Sequence, residues 1–161
     1  MTINLSLGEG RYVSNMAAST TMPILVVDDY KTMTRIIRNL LNQLGFSDVD
    51  EAADGAEALG KMRTREYGLV ISDWNMTPVN GYELLCEVRA DPELAHVPFI
   101  MVTAESKTEH VVAAKKAGVN NYIVKPFSAP TLKGKIDAVF AEAAVYVAAP
   151  VPEENIDAVF V

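Results

Sequence analysis

The stretch Met22-Pro23-Ile24-Leu25-Val26-Val27-Asp28-Asp29 decides how the rest of the chain is read. A short, unbroken apolar run marks a strand buried on both faces, because a strand with one wet face alternates polar and apolar residues. The run ends abruptly in two adjacent acids. Leu69-Val70-Ile71, Phe99-Ile100-Met101-Val102 and Tyr122-Ile123-Val124 repeat the apolar pattern. Val49-Asp50-Glu51-Ala52 is weaker and more polar, which suits the edge of a sheet.

Helical patterns fill the intervals. Met33, Ile36, Ile37, Leu40, Leu41 and Leu44 follow i, i+3, i+4, i+7 spacing, and Gly45 supplies the stop. Asp54-Gly55-Ala56-Glu57, Asn80-Gly81-Tyr82-Glu83 and Ser106-Lys107-Thr108-Glu109 each have the form of a capping box opening a helix. Ser128 is placed to cap a last helix whose buried stripe is Leu132, Ile136, Val139 and Phe140. Five β-α units in strict alternation imply an α/β fold: a five-stranded parallel sheet with helices on both faces and right-handed crossovers.

The chain has 161 residues, half of them hydrophobic, which suits one soluble domain with a sizeable core. We read residues 1–21 as a flexible N-terminal tail, 22–144 as the domain and 145–161 as a Pro-interrupted C-terminal tail. A net charge of -7, from 21 acids against 14 bases, disfavours binding to a nucleic-acid backbone. Cys86 is the sole cysteine, so no internal disulfide can form, and its apolar neighbours suit a half-buried, inert thiol. No apolar run approaches the ~20 residues of a membrane span. The N-terminal residues have neither the basic start nor the apolar stretch of a signal peptide. A cytoplasmic protein without membrane partners is the expectation. His96 and His110 are isolated, without metal-ligand spacing, and read as surface or loop residues.

One internal repeat stands out. Ile136-Asp137-Ala138-Val139-Phe140 recurs as Ile156-Asp157-Ala158-Val159-Phe160, after Pro150 and Pro152. The plain reading is a duplicated scrap that stays disordered. The sharper one is a tail that imitates the last helix and docks in its groove, on its own or a neighbouring molecule.

Chemistry gathers at the strand ends. In an open α/β sheet, ligands bind at the carboxyl ends of the strands, near the point where strand order reverses. Asp28 and Asp29 follow the first strand, Asp73 the third and Lys125 the fifth, while Thr103 ends the fourth. If the first and third strands are neighbours, these five side chains converge on one shallow cleft. Carboxylates so placed repel one another unless a cation joins them, and hard oxygen ligands with open positions suit magnesium. An aspartate carboxylate is a competent nucleophile towards phosphorus. Lys125 and Thr103 are then placed to hold phosphoryl oxygens, which is most of what phosphoryl transfer requires of a protein.

At these residues the sequence resembles the receiver domains of two-component response regulators, most closely the CheY-type chemotaxis regulators. The resemblance covers 22 to about 144. It rests on Val27-Asp28-Asp29, Ser72-Asp73-Trp74-Asn75-Met76, Met101-Val102-Thr103-Ala104-Glu105 and Tyr122-Ile123-Val124-Lys125-Pro126-Phe127. It implies a flavodoxin-like (βα)5 fold with strand order 2-1-3-4-5, an order for which this protein type is itself a standard example. Asp73 is then the phosphoacceptor. Asp28, Asp29, Asp73 and the backbone carbonyl of Asn75 hold Mg2+. Thr103, the backbone of Ala104 and Lys125 bind the phosphoryl group, and Thr103 and Tyr122 form the switch. Asn75 and Glu105 tune dephosphorylation, and the Lys125-Pro126 bond is cis. The pattern departs at Thr77-Pro78 and Asn80, where the family usually has proline at the first position and an acid at the last. The loop keeps its length, and Asn80 can still cap its helix.

The resemblance implies a monomeric phosphoacceptor switch that is not an enzyme in its own right, although it assists its own phosphorylation and dephosphorylation. Its phosphoryl group comes from a CheA-like histidine kinase, and a phosphatase is a further partner. No DNA-binding segment follows the domain, so output runs through protein contacts. The implied target is a flagellar motor switch protein, bound on the face made by the fourth helix, fifth strand and fifth helix. Three alternatives stand beside this one. They are a phosphorelay shuttle or phosphate sink in another pathway, a haloacid-dehalogenase-like phosphatase, and a pure interaction domain that keeps the cluster unused.

Overall fold

The computed structural model describes residues 4–6, 12–14, 18–104 and 107–148, with side chains described for 18–104 and 107–141. Glu105, Ser106 and the second copy of the repeat, 156–160, lie outside the described residues. The backbone divides into two units, Thr20–Lys135 and a second comprising Met1–Ser19 with Ile136–Val161. In the second unit β1 (Asn4–Ser6) pairs with β2 (Tyr12–Ser14) in antiparallel fashion, Leu5 opposite Val13. Sequence reading assigned no element there. Three-residue strands with a single apolar residue each, or two, are too short for alternation to register.

The first unit holds the parallel sheet. Its strands are β3 (Ile24–Val27), β4 (Val49–Ala52), β5 (Leu69–Asp73), β6 (Phe99–Thr103) and β7 (Asn121–Val124). They lie in the order β4-β3-β5-β6-β7, so the five parallel strands run 2-1-3-4-5 as expected. Every residue of β3, β5 and β6 is buried, which accounts for their unbroken apolar runs. The polar β4 is an edge strand. Its acids are answered by neighbours: Arg38 pairs with Glu51 at 2.8 Å and Arg65 with Asp50 at 2.9 Å.

Between the strands run α1 (Lys31–Gln43), α2 (Gly55–Thr64), α3 (Gly81–Ala90) and α4 (Thr108–Ala117), followed by α5 (Ala129–Ala148). Leu25, Val27, Val70, Phe99 and Met101 form one face of the sheet and pack with Ala58, Leu59 and Met62 of α2 and Leu84, Leu85 and Val88 of α3. The intervening strand residues point the other way, towards the side on which α1 covers β3. In α1 the buried residues are Thr34, Ile37 and Leu41. Ile36 was expected in that stripe but is 44% exposed. The apolar arc of α1 is wider than the sheet surface it meets.

The helix ends were largely legible. Gly45 takes a left-handed conformation, φ 98°, while Phe46 N–H reaches Leu41 O at 2.9 Å and Gly45 N–H reaches Asn42 O at 3.0 Å. Asn80 and Glu83 form the reciprocal capping box, whereas Glu57 reaches past Asp54 to the N–H of Ala53 at 2.9 Å. The capping residue of the third expected box, Ser106, lies outside the described residues. At the start of α5 the Thr131 N–H donates to Ser128 Oγ at 3.4 Å. Leu132, Ile136 and Val139 are buried, and the helix continues to Ala148, past the boundary expected at 144. Its closing segment, Ala-Glu-Ala-Ala-Val-Tyr-Val-Ala, consists largely of residues that sustain a helix.

Arg89 joins two loops at the foot of the sheet. Its guanidinium donates to Ala95 O (3.0 Å), Val97 O (2.7 Å), Gly118 O (2.9 Å) and Asn120 Oδ1 (2.8 Å). Burial pushes its pKa down from the usual arginine value. Arg89→Met is expected to lower the unfolding free energy by about 2–3 kcal/mol, because four acceptors lose a charged donor at once. Urea denaturation measures this. A loss below about 1 kcal/mol would mean that solvent replaces the guanidinium without penalty.

Candidate functional site

Register places the chemistry. Val27 lies opposite Ser72, Asp73 opposite Val102, and Thr103 opposite Val124. The next residue along each strand therefore emerges at the same carboxyl edge: Asp28 after β3, Asp73 at the end of β5, Thr103 at the end of β6, Lys125 after β7. Asp28 is held there twice. Its N–H donates to Ala52 O at 3.1 Å, and its Oδ1 accepts from Tyr30 N–H at 2.9 Å, closing a turn into α1. Lys125 N–H donates to Thr103 O at 2.7 Å, which ties the lysine's backbone to β6. Both Lys125-Pro126 and Thr77-Pro78 are cis peptides, the second without an expectation behind it.

The Lys125 ammonium lies between two carboxylates, 3.2 Å from Asp28 Oδ2 and 3.0 Å from Asp73 Oδ1. Asp28, Asp73 and Thr103 are buried, while Asp29 is exposed and faces the opening. Burial, the largest influence, pushes the Asp73 carboxyl above its ordinary range, and the nearby charge of Asp28 adds to it. The bond from Lys125 pulls the other way and is second only to burial in size, but the net direction is up. For Lys125 burial acts to lower the pKa, but the bond to Asp73 and the charges of both acids outweigh it, so the net direction is up. The ammonium stays charged.

Three carboxylates against one ammonium leave a net excess of two negative charges in the cleft. One oxygen from each of Asp28, Asp29 and Asp73 lies within 4.8 Å of the others. Octahedral magnesium, with oxygens at ~2.1 Å, spaces its ligands by about 3.0 to 4.2 Å, so these donors fit it with small adjustment. A divalent hard cation also matches the charge excess. The donor set suits magnesium in number, type and spacing.

The remaining expected residues lie around this core. Asn75 is exposed and lines a depression of about 300 Å3 with Asp29, Met76, Thr77 and Asn80. Ala104 is exposed and directly follows Thr103. Tyr122, on β7, is half-buried and packs against the core beneath α2 and α3. The expected role of Glu105 falls outside the described residues. His110 corrects its sequence reading. It lies on α4, half-buried, with its ring stacked on Trp74 at 4.5 Å between centroids. A lone histidine in a helix gives no signal of this, because its partner precedes it by 36 positions and lies on another element.

The family model for the response regulator receiver domain matches residues 24–137. The chemotaxis protein CheY-3 of Vibrio cholerae is 51% identical over 119 residues, covering 74% of this chain and 92% of that protein. The chemotaxis protein CheY of Pseudomonas aeruginosa is 50% identical over 119 residues, covering 74% and 96%. Among solved structures, V. cholerae CheY4 superposes with a TM-score of 0.70 at 32% identity, covering 74% of this chain and 98% of that one. The receiver domain of a P. aeruginosa sensor histidine kinase, with a magnesium ion coordinated in its active-site cleft, gives a TM-score of 0.68 at 27% identity, covering 75% and 98%. This chain belongs to the response regulator receiver-domain family, and within it to the CheY type. Among the described residues, no helix is long and apolar enough to cross a membrane.

Proposed function

We propose that the chain accepts a phosphoryl group on Asp73 from the phosphohistidine of a CheA-like kinase, beside Mg2+, and signals in the cytoplasm by protein contact, to the flagellar motor switch. The observation that carries this is the placement of Lys125 between Asp28 and Asp73 at the carboxyl edge of the sheet. Identity of about half to chemotaxis proteins supports the motor as output over a phosphorelay shuttle.

The residues divide the work. An Asp73 oxygen attacks phosphorus as the bond to the donor nitrogen breaks, and the departing imidazole takes up a proton. The product is an acyl phosphate. Lys125 is released from its carboxylate contacts to meet a phosphoryl oxygen, and the Thr103 hydroxyl and the Ala104 N–H donate to others. Magnesium held by Asp28, Asp29, Asp73 and the Asn75 carbonyl would neutralise phosphoryl charge. Asn75 and Glu105 set how easily water reaches the acyl phosphate. Thr103 and Tyr122 pass the change to the face of α4, β7 and early α5. That face carries an open depression of about 690 Å3, lined by Lys115, Tyr122, Val124, Phe127 and Lys135 among others. Phosphorylation supplies differential affinity there by biasing two pre-existing arrangements.

Trp74, the sole tryptophan, gives the test. Its fluorescence is expected to change on adding Mg2+ and again on adding phosphoramidate with Mg2+, and kinase-phosphorylated protein is expected to bind motor switch protein more tightly. A flat signal in both titrations would overturn the site. Uptake without motor binding would leave the shuttle reading instead.

A further inference from the structure

Three aromatic rings lie against one another beside the phosphoacceptor. Trp74 follows Asp73 and stacks with Tyr82 of α3, at 5.4 Å and 14° between planes, and with His110 of α4, at 4.5 Å and 12°. The backbone of Trp74 is fixed at both ends. Its N–H donates to Val102 O on β6, and its carbonyl accepts from Gly81 N–H at the start of α3, each at 2.9 Å. Whatever holds this indole is therefore held in register with the Asp73 carboxylate.

Within helix α4, Ala114 is the one fully buried residue and Ala117, in the last turn, packs against the core. The first turn is where His110 meets Trp74. The imidazole is not there for a hydrogen bond through Nδ1, which is buried without a partner among the described residues. Its flat face makes the contact. Upstream of that turn the chain leads back to Ala104 and to Thr103, whose hydroxyl must meet the incoming phosphoryl group.

We propose that His110 is a positioning residue for phosphorylation: by stacking on Trp74 it clamps the first turn of α4 in the unphosphorylated arrangement and so restrains uptake at Asp73. The inference rests on Asp73 being the phosphoacceptor. A contact that stabilises one of two states raises the cost of reaching the other by the same amount. An aromatic stack of this kind corresponds to about a threefold to tenfold effect.

The test uses the whole chain with phosphoramidate and Mg2+, following phosphoprotein by intact mass. His110→Ala is expected to be phosphorylated about threefold to tenfold faster than the parent. His110→Phe keeps a flat ring and removes the unpaired nitrogen, so its rate should stay within about twofold of the parent. Magnesium affinity, which depends on untouched carboxylates, should agree within about twofold across all three. A general loosening of the fold would shift the alanine and phenylalanine proteins together, and would shift magnesium affinity too. An alanine variant at or below the parent rate, or a phenylalanine variant that behaves like it, overturns the proposal. If the alanine variant does not fold, His110→Gln against His110→Phe makes the same comparison. A parent that takes up no phosphoryl group brings down the reading of Asp73 itself, before any variant is compared.

Discussion

An Asp73→Asn protein is expected to take up no phosphoryl group from phosphoramidate or from a phosphorylated kinase, while folding as stably as the parent. The two halves of this result have different causes. A carboxamide oxygen is a poor nucleophile, so the rate should fall by on the order of a thousandfold or more. Magnesium affinity should fall by about tenfold, because one of three anionic donors is lost. Stability should not follow. Burial and the charge of Asp28 push the Asp73 carboxyl up, so its ionised form is held in the fold at a cost. Asparagine removes that cost and leaves Lys125 paired with Asp28 at 3.2 Å. Without metal, the unfolding free energy should be unchanged or raised by up to about 1 kcal/mol. Intact mass, magnesium titration and urea denaturation read the three quantities. Undiminished uptake by the variant would place the acceptor elsewhere.

The second large effect is steric, and it reverses an ordinary rule. Alanine normally stabilises a helix relative to glycine by about 0.5 to 1 kcal/mol. At Gly60, in α2, nothing lies within 4 Å of an added Cβ, so Gly60→Ala should show that gain. At Gly81, the first residue of α3, the added Cβ would stand 2.1 Å from the carbonyl oxygen of Asp73 and 3.0 Å from Met101 Sδ. The oxygen is backbone, so relief requires α3 to lift from the end of β5. Gly81→Ala is therefore expected to destabilise by about 3 kcal/mol or more, and to slow phosphorylation by displacing Asp73, the proposed acceptor. Urea denaturation of both variants should give opposite signs. A Gly81→Ala protein as stable as the parent would show that α3 is free to shift there.

How much of this was legible in the sequence depends on how local each signal is. The continuous apolar runs of β3, β5 and β6 announce strands buried on both faces, and the polar Val49–Ala52 announces an edge. Each property belongs to a handful of adjacent residues. Asn80 with Glu83, and Gly45 after Leu44, were equally readable because capping acts within one turn. The candidate site followed from strand ends, since a parallel sheet brings its carboxyl ends to one edge. What was missed lies in long-range geometry. Arg89 bonds to groups up to 31 positions away, and no motif marks a guanidinium shared between two loops. The stack of His110 on Trp74 joins residues on separate elements. The exposure of Ile36 depends on how wide a strip of sheet α1 covers, which periodicity cannot report.

The contact between Lys125 and Asp28 spans 97 positions of chain. During synthesis, carboxylates leave the ribosome well before the ammonium that answers them, and a nascent chain has no complete cleft until β7 and the residue after it have emerged and docked. Truncated or half-folded copies thus carry the carboxylates of Asp28 and Asp73 without the ammonium that lies between them in the finished fold.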